Sequence, residues 1–197
     1  MHADHATRAA MTASLIFAMV AAFLAGIGAR DQLIVARLSG HFGGSRPVLA
    51  VALACAALSA AALAWAGWRV ETLISDAAET MLVAFALAAA SLELFWRNRE
   101  APAREPTRSL AALAIVLLSR QLGDGARFCI FAIAAATASP QMAALGGALG
   151  GGAALAMGWM LGYSLERRVP LRKIRVAIGS ITLATALVIA LTARGIV

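Results

Sequence analysis

Six apolar stretches, each long enough to cross a lipid bilayer as a helix, dominate this 197-residue chain. A transmembrane helix needs about 20 mostly apolar residues. Only 14% of the residues are charged, whereas a soluble domain carries about 25%. We therefore predict an all-α integral membrane protein that forms a single membrane domain over residues 1–197. The six stretches are 9–38, 47–68, 77–96, 109–137, 140–163 and 174–192.

The six stretches divide into two similar halves. Gly28 lies in a charged interruption of the first stretch, and Gly123 lies in that of the fourth, 95 residues later. The same offset carries Trp68, at the end of the second stretch, to Tyr163, at the end of the fifth. Three crossings per half would insert the second half from the opposite side, which predicts inverted topology, as in many secondary transporters. The predicted organisation is a first three-helix repeat at 9–96, a linker at 97–108 and a second repeat at 109–194.

Basic residues predict the orientation of the chain in the membrane. Eleven lie in the loops after the first, third and fifth stretches, and three lie on the opposite side. Because cytoplasmic loops carry an excess of Lys and Arg, we predict a bacterial inner-membrane protein with both termini outside the cytoplasm. The formal net charge of +7 fits this membrane signal better than nucleic-acid binding. The eleven are Arg37, Arg46, Arg97, Arg99, Arg104, Arg108, Arg167, Arg168, Arg172, Lys173 and Arg175, and the three are Arg8, Arg69 and Arg194.

The fifth stretch is rich in glycine, with Gly147 and Gly151, and Gly158 and Gly162, four residues apart. Small residues at this spacing let helix backbones approach closely in lipid. We therefore predict helix packing here and not a phosphate-binding loop, because no strand precedes the glycines and no Lys-Ser/Thr pair follows them. The expected surroundings are the lipid bilayer. A homodimer and a larger membrane complex are both compatible with this pattern.

Charged and amide side chains interrupt the first and fourth stretches, where a charge is expensive. A charge at the bilayer centre costs roughly 2.5–3.5 kcal/mol on insertion scales, so such groups persist where they pair or line a wet cavity. Neighbouring glycines permit helix breaks that expose helix ends to an ion. We predict an ion- or substrate-binding site made of Asp124, Gln121, Gln32 and Asp31, with counter-charges Arg30, Arg120 and Arg127 and helix-break glycines Gly26, Gly28, Gly123 and Gly125.

Local spacing predicts which of these charges form ion pairs. Arg120 lies four residues before Asp124 and Arg127 lies three residues after it, so either can pair with it on one helix face. Arg30 is expected near Asp124 across the axis that relates the two halves. At the end of the third stretch, Glu93 is expected to pair with Arg97, four residues further on.

Segments 25–33 and 120–128 resemble the paired signature E-x-G-D-[KR]-[ST] of a cation-exporter family. This family comprises MneA-type manganese exporters and Golgi Gdt-type calcium/manganese transporters, and the chain resembles a degenerate member of it. The resemblance implies a six-helix inverted repeat and export of Mn²⁺ or Ca²⁺ in exchange for protons. It also implies that acidic motif residues from both halves form the cation site.

Matched residue by residue, the signature has lost most of its acids. Of four expected acidic ligands only Asp124 is in place, which makes it the candidate metal ligand, and Asp31 is an additional acid. Hard divalent cations need several anionic oxygens, and three arginines share this zone. We therefore hypothesise that an internal arginine occupies the place of the family's metal ion. The departures are Gly26 for Glu, Ala29 for Asp and Asp31 for the hydroxyl residue in the first half, and Gln121 for Glu, Gly125 for the basic residue and Ala126 for the hydroxyl residue in the second.

The leading interpretation is a small multi-pass transporter similar to Mn²⁺/Ca²⁺ exporters, with no cofactor apart from the transported ion. One alternative is an exporter of a different solute, anionic or amino-acid-like. Another is a non-transporting structural or accessory subunit whose buried ion pair fixes helix packing. An enzyme is not expected, because the sequence contains neither a nucleophile elbow nor His and Cys residues at metal-binding spacing.

Overall fold

The computed structural model describes residues 2–96 and 109–196, with the side chains of residue 8 and of residues from 10 onward. The predicted linker at 97–108 lies outside the described residues. Within them the chain forms nine α-helices and no strand. The helices are α1 (His2–Gly26), α2 (Arg30–Phe42), α3 (Arg46–Glu71), α4 (Asp76–Phe95), α5 (Leu110–Leu122), α6 (Gly125–Thr137), α7 (Pro140–Leu161), α8 (Ser164–Arg168) and α9 (Leu171–Ala193).

Four helices are long and apolar enough to cross a membrane, namely α3, α4, α7 and α9. The bent pair formed by α1 and α2, whose axes differ by 63°, supplies a fifth candidate span. Helices α5 and α6 are apolar but have only 13 residues each. The all-α prediction is thus confirmed, and four to five membrane-length helices agree with a membrane location. Six spans in two inverted repeats stay a prediction.

Both predicted interruptions are helix breaks, but their backbones differ. After Gly26 the chain turns through Gly28, whose φ of 71° lies in the left-handed region that favours glycine. At the second break Gly123 has a φ of −104° and open space around it, so this turn does not require glycine. Helix α6 then begins directly after Asp124, its N-cap residue. Each break therefore ends at the N-terminus of a short helix.

Helix α7 packs along both α1 and α3 in the centre of the bundle. A Cβ atom at Gly146 or Gly150 would collide with a backbone carbonyl of α1, at Leu15 and Met19 respectively. On another face of α7, a Cβ at Gly147 would meet the side chain of a residue in α6. The predicted role of the glycines in close helix packing is therefore confirmed. This packing places α7 against α1, whose C-terminus forms the first break.

Candidate functional site

Two carboxylates and one guanidinium meet between the two helix breaks. Nη1 of Arg127 lies 3.5 Å from Oδ2 of Asp124 and 4.0 Å from Oδ2 of Asp31. All three groups are buried, with 2%, 6% and 5% of the Arg127, Asp124 and Asp31 side chains exposed. Asp124 occupies the N-cap position of α6, without a side-chain hydrogen bond to that helix, and Asp31 lies in the first turn of α2. The positive ends of two helices therefore stabilise the two carboxylates, which a single arginine connects.

A chain of hydrogen bonds connects the same guanidinium to Asp31 by a second route. Nε of Arg127 donates to Oγ of Ser59 at 3.0 Å, and this hydroxyl donates to Oε1 of Gln121 at 2.9 Å. Nε2 of Gln121 then donates to Oδ2 of Asp31 at 3.0 Å. Four helices, α2, α3, α5 and α6, are thereby joined in one network. Ser59 was not among the predicted site residues, because a single serine in an alanine-rich helix carries no local signal.

Gln32 holds the first break against α7. Its Oε1 accepts from the backbone N of Gly28 at 2.7 Å, and its Nε2 donates to the backbone O of Ala154 at 2.7 Å. The side chain is fully buried, and Gly158 of α7 leaves the space that it fills, because a Cβ there would lie 2.7 Å from Cγ of Gln32. The predicted ligand Gln32 therefore uses its amide to fix the break.

A second buried ion pair lies beside the network. Nη2 of Arg175 in α9 lies 2.8 Å from Oε2 of Glu93 and 3.1 Å from its backbone O. The same carboxylate accepts from the backbone N of Gly125, the first residue of α6, at 3.3 Å. Glu93, near the end of α4, thus connects the start of α9 to the second break. Its carboxylate bridges the guanidinium of Arg175 and the N-terminus of α6.

This pair corrects one sequence-based assignment and adds a contact that the sequence did not predict. Arg175 is buried, so it is not a free loop charge of the kind that sets membrane orientation. The predicted pairing of Glu93 with Arg97 falls on a residue outside the described ones and stays a prediction. Within the described residues, Glu93 pairs with the buried Arg175. Local spacing could not indicate this contact, because 82 residues separate its two members.

The other predicted counter-charges, Arg30 and Arg120, lie at a small cavity. Its volume is about 10 Å³, close to the space that one water molecule needs. Arg120 is exposed and Arg30 is half-buried. The structure therefore brings all the predicted charges to one locality, with Arg127 at its buried end. The cavity is lined by Arg30, Asp31, Glu93, Arg120, Gly123 and Asp124.

Two buried polar atoms of the network have no hydrogen-bond partner within the described part of the chain. They are Oδ1 of Asp124, an acceptor, and Nη2 of Arg127, a donor. Leaving such a group unsatisfied costs about 1–3 kcal/mol. The described residues contain no group of three or more His, Cys, Asp or Glu side chains that could hold a metal ion. The guanidinium of Arg127 is a buried counter-charge within 4.0 Å of both carboxylates.

Fold and site together define an all-helical protein with membrane-length apolar helices and a buried charge network at two helix breaks. Comparison with known protein families, with curated proteins and with solved structures gave no match. The likeness to cation exporters therefore depends on the sequence segments 25–33 and 120–128 alone.

Proposed function

We propose that this chain is a small membrane cation transporter in which the two helix breaks form one alternately accessible site. The observation that carries the proposal is the contact of Asp31 and Asp124, one from each break, with the single guanidinium of Arg127. Ionisable groups among membrane-spanning helices are expensive and typically mark ion pathways. Breaks that carry such groups supply carboxylates and unwound backbone carbonyls to a cation.

Two contacts whose residues are related by the same 95-residue offset support an inverted repeat. Gln32 and Arg127 are 95 residues apart, and so are the residues to which they donate, Ala154 and Ser59. The first contact joins α2 to α7, and the second joins α6 to α3. Equivalent residues thus make equivalent contacts in the two halves, as expected when each repeat packs its broken helix against the other repeat.

A second pair of contacts follows the same rule. Gly26 packs against Ala154, where an added Cβ would lie 2.9 Å from the alanine Cβ. At the offset positions, Gln121 accepts a hydrogen bond from Ser59 at 2.9 Å. The proposed correspondence pairs α1–α2 with α5–α6, α3 with α7, and α4 with α9. Helices α5 and α6 would then form a sixth, broken span.

Arg127 acts as a tethered cation in the proposed mechanism. It is a buried counter-charge to both Asp31 and Asp124 while no cargo is bound. An entering Mn²⁺ or Ca²⁺ would bind the carboxylate oxygens together with the oxygens of Gln121 and Ser59, the hard ligands that such ions prefer. Gly151 leaves room beside the guanidinium, since a Cβ there would lie 3.6 Å from Nη1 of Arg127. Protons can compete for the same carboxylates, which would couple export to a proton gradient.

Flux measurements in proteoliposomes test this function. The purified protein would be reconstituted with a pH gradient, and uptake of ⁵⁴Mn²⁺ and ⁴⁵Ca²⁺ would be followed. We expect uptake by the wild type, and a fall to the level of protein-free vesicles for Asp124→Asn. Asp76→Asn is the matched control, because Asp76 is exposed at the start of α4, and it should leave flux unchanged. Equal flux for Asp124→Asn and wild type would contradict the proposal.

A second candidate is transport of a zwitterionic solute, and the unpartnered atoms favour it. Oδ1 of Asp124 could accept from an ammonium group, and Nη2 of Arg127 could donate to a carboxylate. Counterflow of labelled amino acids in the same vesicles, without any Mn²⁺ or Ca²⁺ flux, would select this candidate. Folded wild-type protein that moves neither class of solute would contradict both and favour a purely structural ion pair.

A further inference from the structure

A second charged cavity lies beside the break network, where α4 ends and α9 begins. Its volume is about 660 Å³, within the range of small-molecule sites, which is roughly 300–1,000 Å³. Residues of α2, α8 and the start of α9 form most of its wall, together with the end of α4. Four cationic side chains and one carboxylate line it, among apolar neighbours, namely Arg37, Arg172, Lys173, Arg175 and Glu166.

Arg175 is the buried element of this cavity. Only 5% of its side chain is exposed, and Nη2 is occupied by Glu93 at 2.8 Å. Its other two donors, Nε and Nη1, are buried and have no hydrogen-bond partner in the described ranges of the chain. Guanidinium donors left without an acceptor are costly. The wall of the cavity therefore contains a fixed cation with unused donors.

The start of α9 adds positive charge to the same place. The N-terminus of a helix carries a partial positive charge, so basic residues are unfavourable there and anions are favourable. Nevertheless α9 has no acidic residue in its first turn, and Arg172, Lys173 and Arg175 fall within its first five residues. A bound anion would offset both the helix charge and the clustered cations.

The carboxylate in the wall does not supply this compensation. Glu166 in α8 lies 2.6 Å from Nε of Arg37 and accepts from its Nη2 at 3.2 Å. It thus already forms a two-point contact with one arginine. Arg172 donates from Nη1 to the backbone O of Phe95 at 3.2 Å, which is a neutral acceptor. The cavity remains net positive after its own pairings are counted.

We propose that this cavity binds a phosphate-bearing anion, seated on Arg175 with Arg172 and Lys173 at the rim. The phosphate of an anionic lipid headgroup and a free phosphate ion share this chemistry. Basic residues clustered at the ends of membrane helices attract anionic lipids, and the apolar side chains of Leu33, Leu171 and Trp96 in the same wall can accommodate the less polar part of a lipid. The site would exist whether or not the chain transports a solute.

Thermal unfolding of the detergent-purified protein tests this site. It would be measured with added phosphatidylglycerol, with phosphatidylcholine, whose choline cancels the phosphate charge, and with inorganic phosphate. We expect stabilisation by phosphatidylglycerol and none by phosphatidylcholine. Stabilisation by inorganic phosphate as well would identify a free anion as sufficient, whereas its absence would identify the lipid as the ligand.

Variants that lack the basic side chains of the cavity test whether the anion binds there. The double variant Arg172→Gln/Lys173→Gln should weaken phosphatidylglycerol binding about 30-fold, at the usual contribution of a basic residue near a membrane surface. The control Arg69→Gln/Arg194→Gln removes two exposed arginines outside this cavity and should leave affinity unchanged. Arg175→Gln should weaken binding further, and if it does not fold, the exposed double variant decides. Equal stabilisation by both lipids, or unchanged affinity of that double variant, would overturn the proposal.

Discussion

Arg127 lies within 4.0 Å of both buried carboxylates and donates to Ser59 as well. Removing one partner from a buried ion pair costs about 3–5 kcal/mol, because the other charge stays buried without compensation. Here one buried cation lies beside two acids. At the scale of single residues, its position therefore affects whether Asp31 and Asp124 are available to another cation.

Replacing Gln121 with Glu should make the stability of the protein depend on cations. Nε2 of Gln121 donates to Oδ2 of Asp31 at 3.0 Å, so Gln121→Glu would bring two carboxylates together and leave an acceptor unsatisfied. We expect a loss of about 1–3 kcal/mol in cation-free buffer, with recovery when Mn²⁺ or Ca²⁺ is added. Thermal unfolding with and without the ions measures both effects. The control is Gln141→Glu, at an exposed position of α7, and its stability should not change when the ions are added. If the ions do not raise the stability of Gln121→Glu either, the proposal of a shared cation site is contradicted.

At the scale of helices, the sequence predicted the breaks well, because their cause is local. Charges and glycines inside an apolar stretch are visible in the sequence, and the helices end at Gly26 and Leu122, within the two predicted interruptions. Contacts between distant helices were not predictable from one sequence. Ser59 and the pair of Glu93 with Arg175 depend on how helices cross, and local spacing contains no information on that.

Close packing of α7 on α1 gives a prediction at this scale. Gly150→Leu should destabilise the protein, because a Cβ at Gly150 collides with the backbone carbonyl of Met19, and overpacking typically costs about 1–3 kcal/mol. Ala153→Leu adds a large side chain at an exposed position of the same helix and should be nearly neutral. Thermal unfolding of both variants in detergent compares them. Equal stability would mean that the two helices can separate at little cost.

At the scale of the whole molecule, the number of spans determines where the two ends of the chain lie. An even number places both termini on one side of the membrane, and an odd number places them on opposite sides. Four helices and one bent pair are long enough to cross. The sixth span therefore depends on whether α5 and α6 cross together as a broken helix.

Reporter fusions at the two ends decide between five and six spans. If α5–α6 crosses as proposed, fusions of alkaline phosphatase to either terminus should both be active, since both termini would lie outside the cytoplasm. Fusions of green fluorescent protein at the same positions should then be dark. Opposite results at the two ends would leave α5–α6 within one leaflet and contradict the inverted repeat.

In the proposed mechanism Arg127 and a cation compete for the two carboxylates. The most direct test measures how Mn²⁺ changes the unfolding temperature of Arg127→Gln. This variant keeps Asp31 and Asp124 but removes the buried counter-charge that lies within 4.0 Å of both. The expected result is a larger rise in unfolding temperature with Mn²⁺ for Arg127→Gln than for the wild type, and no rise for Arg127→Gln/Asp124→Asn. If Mn²⁺ leaves folded Arg127→Gln unchanged, the carboxylates at the two breaks do not form a cation site.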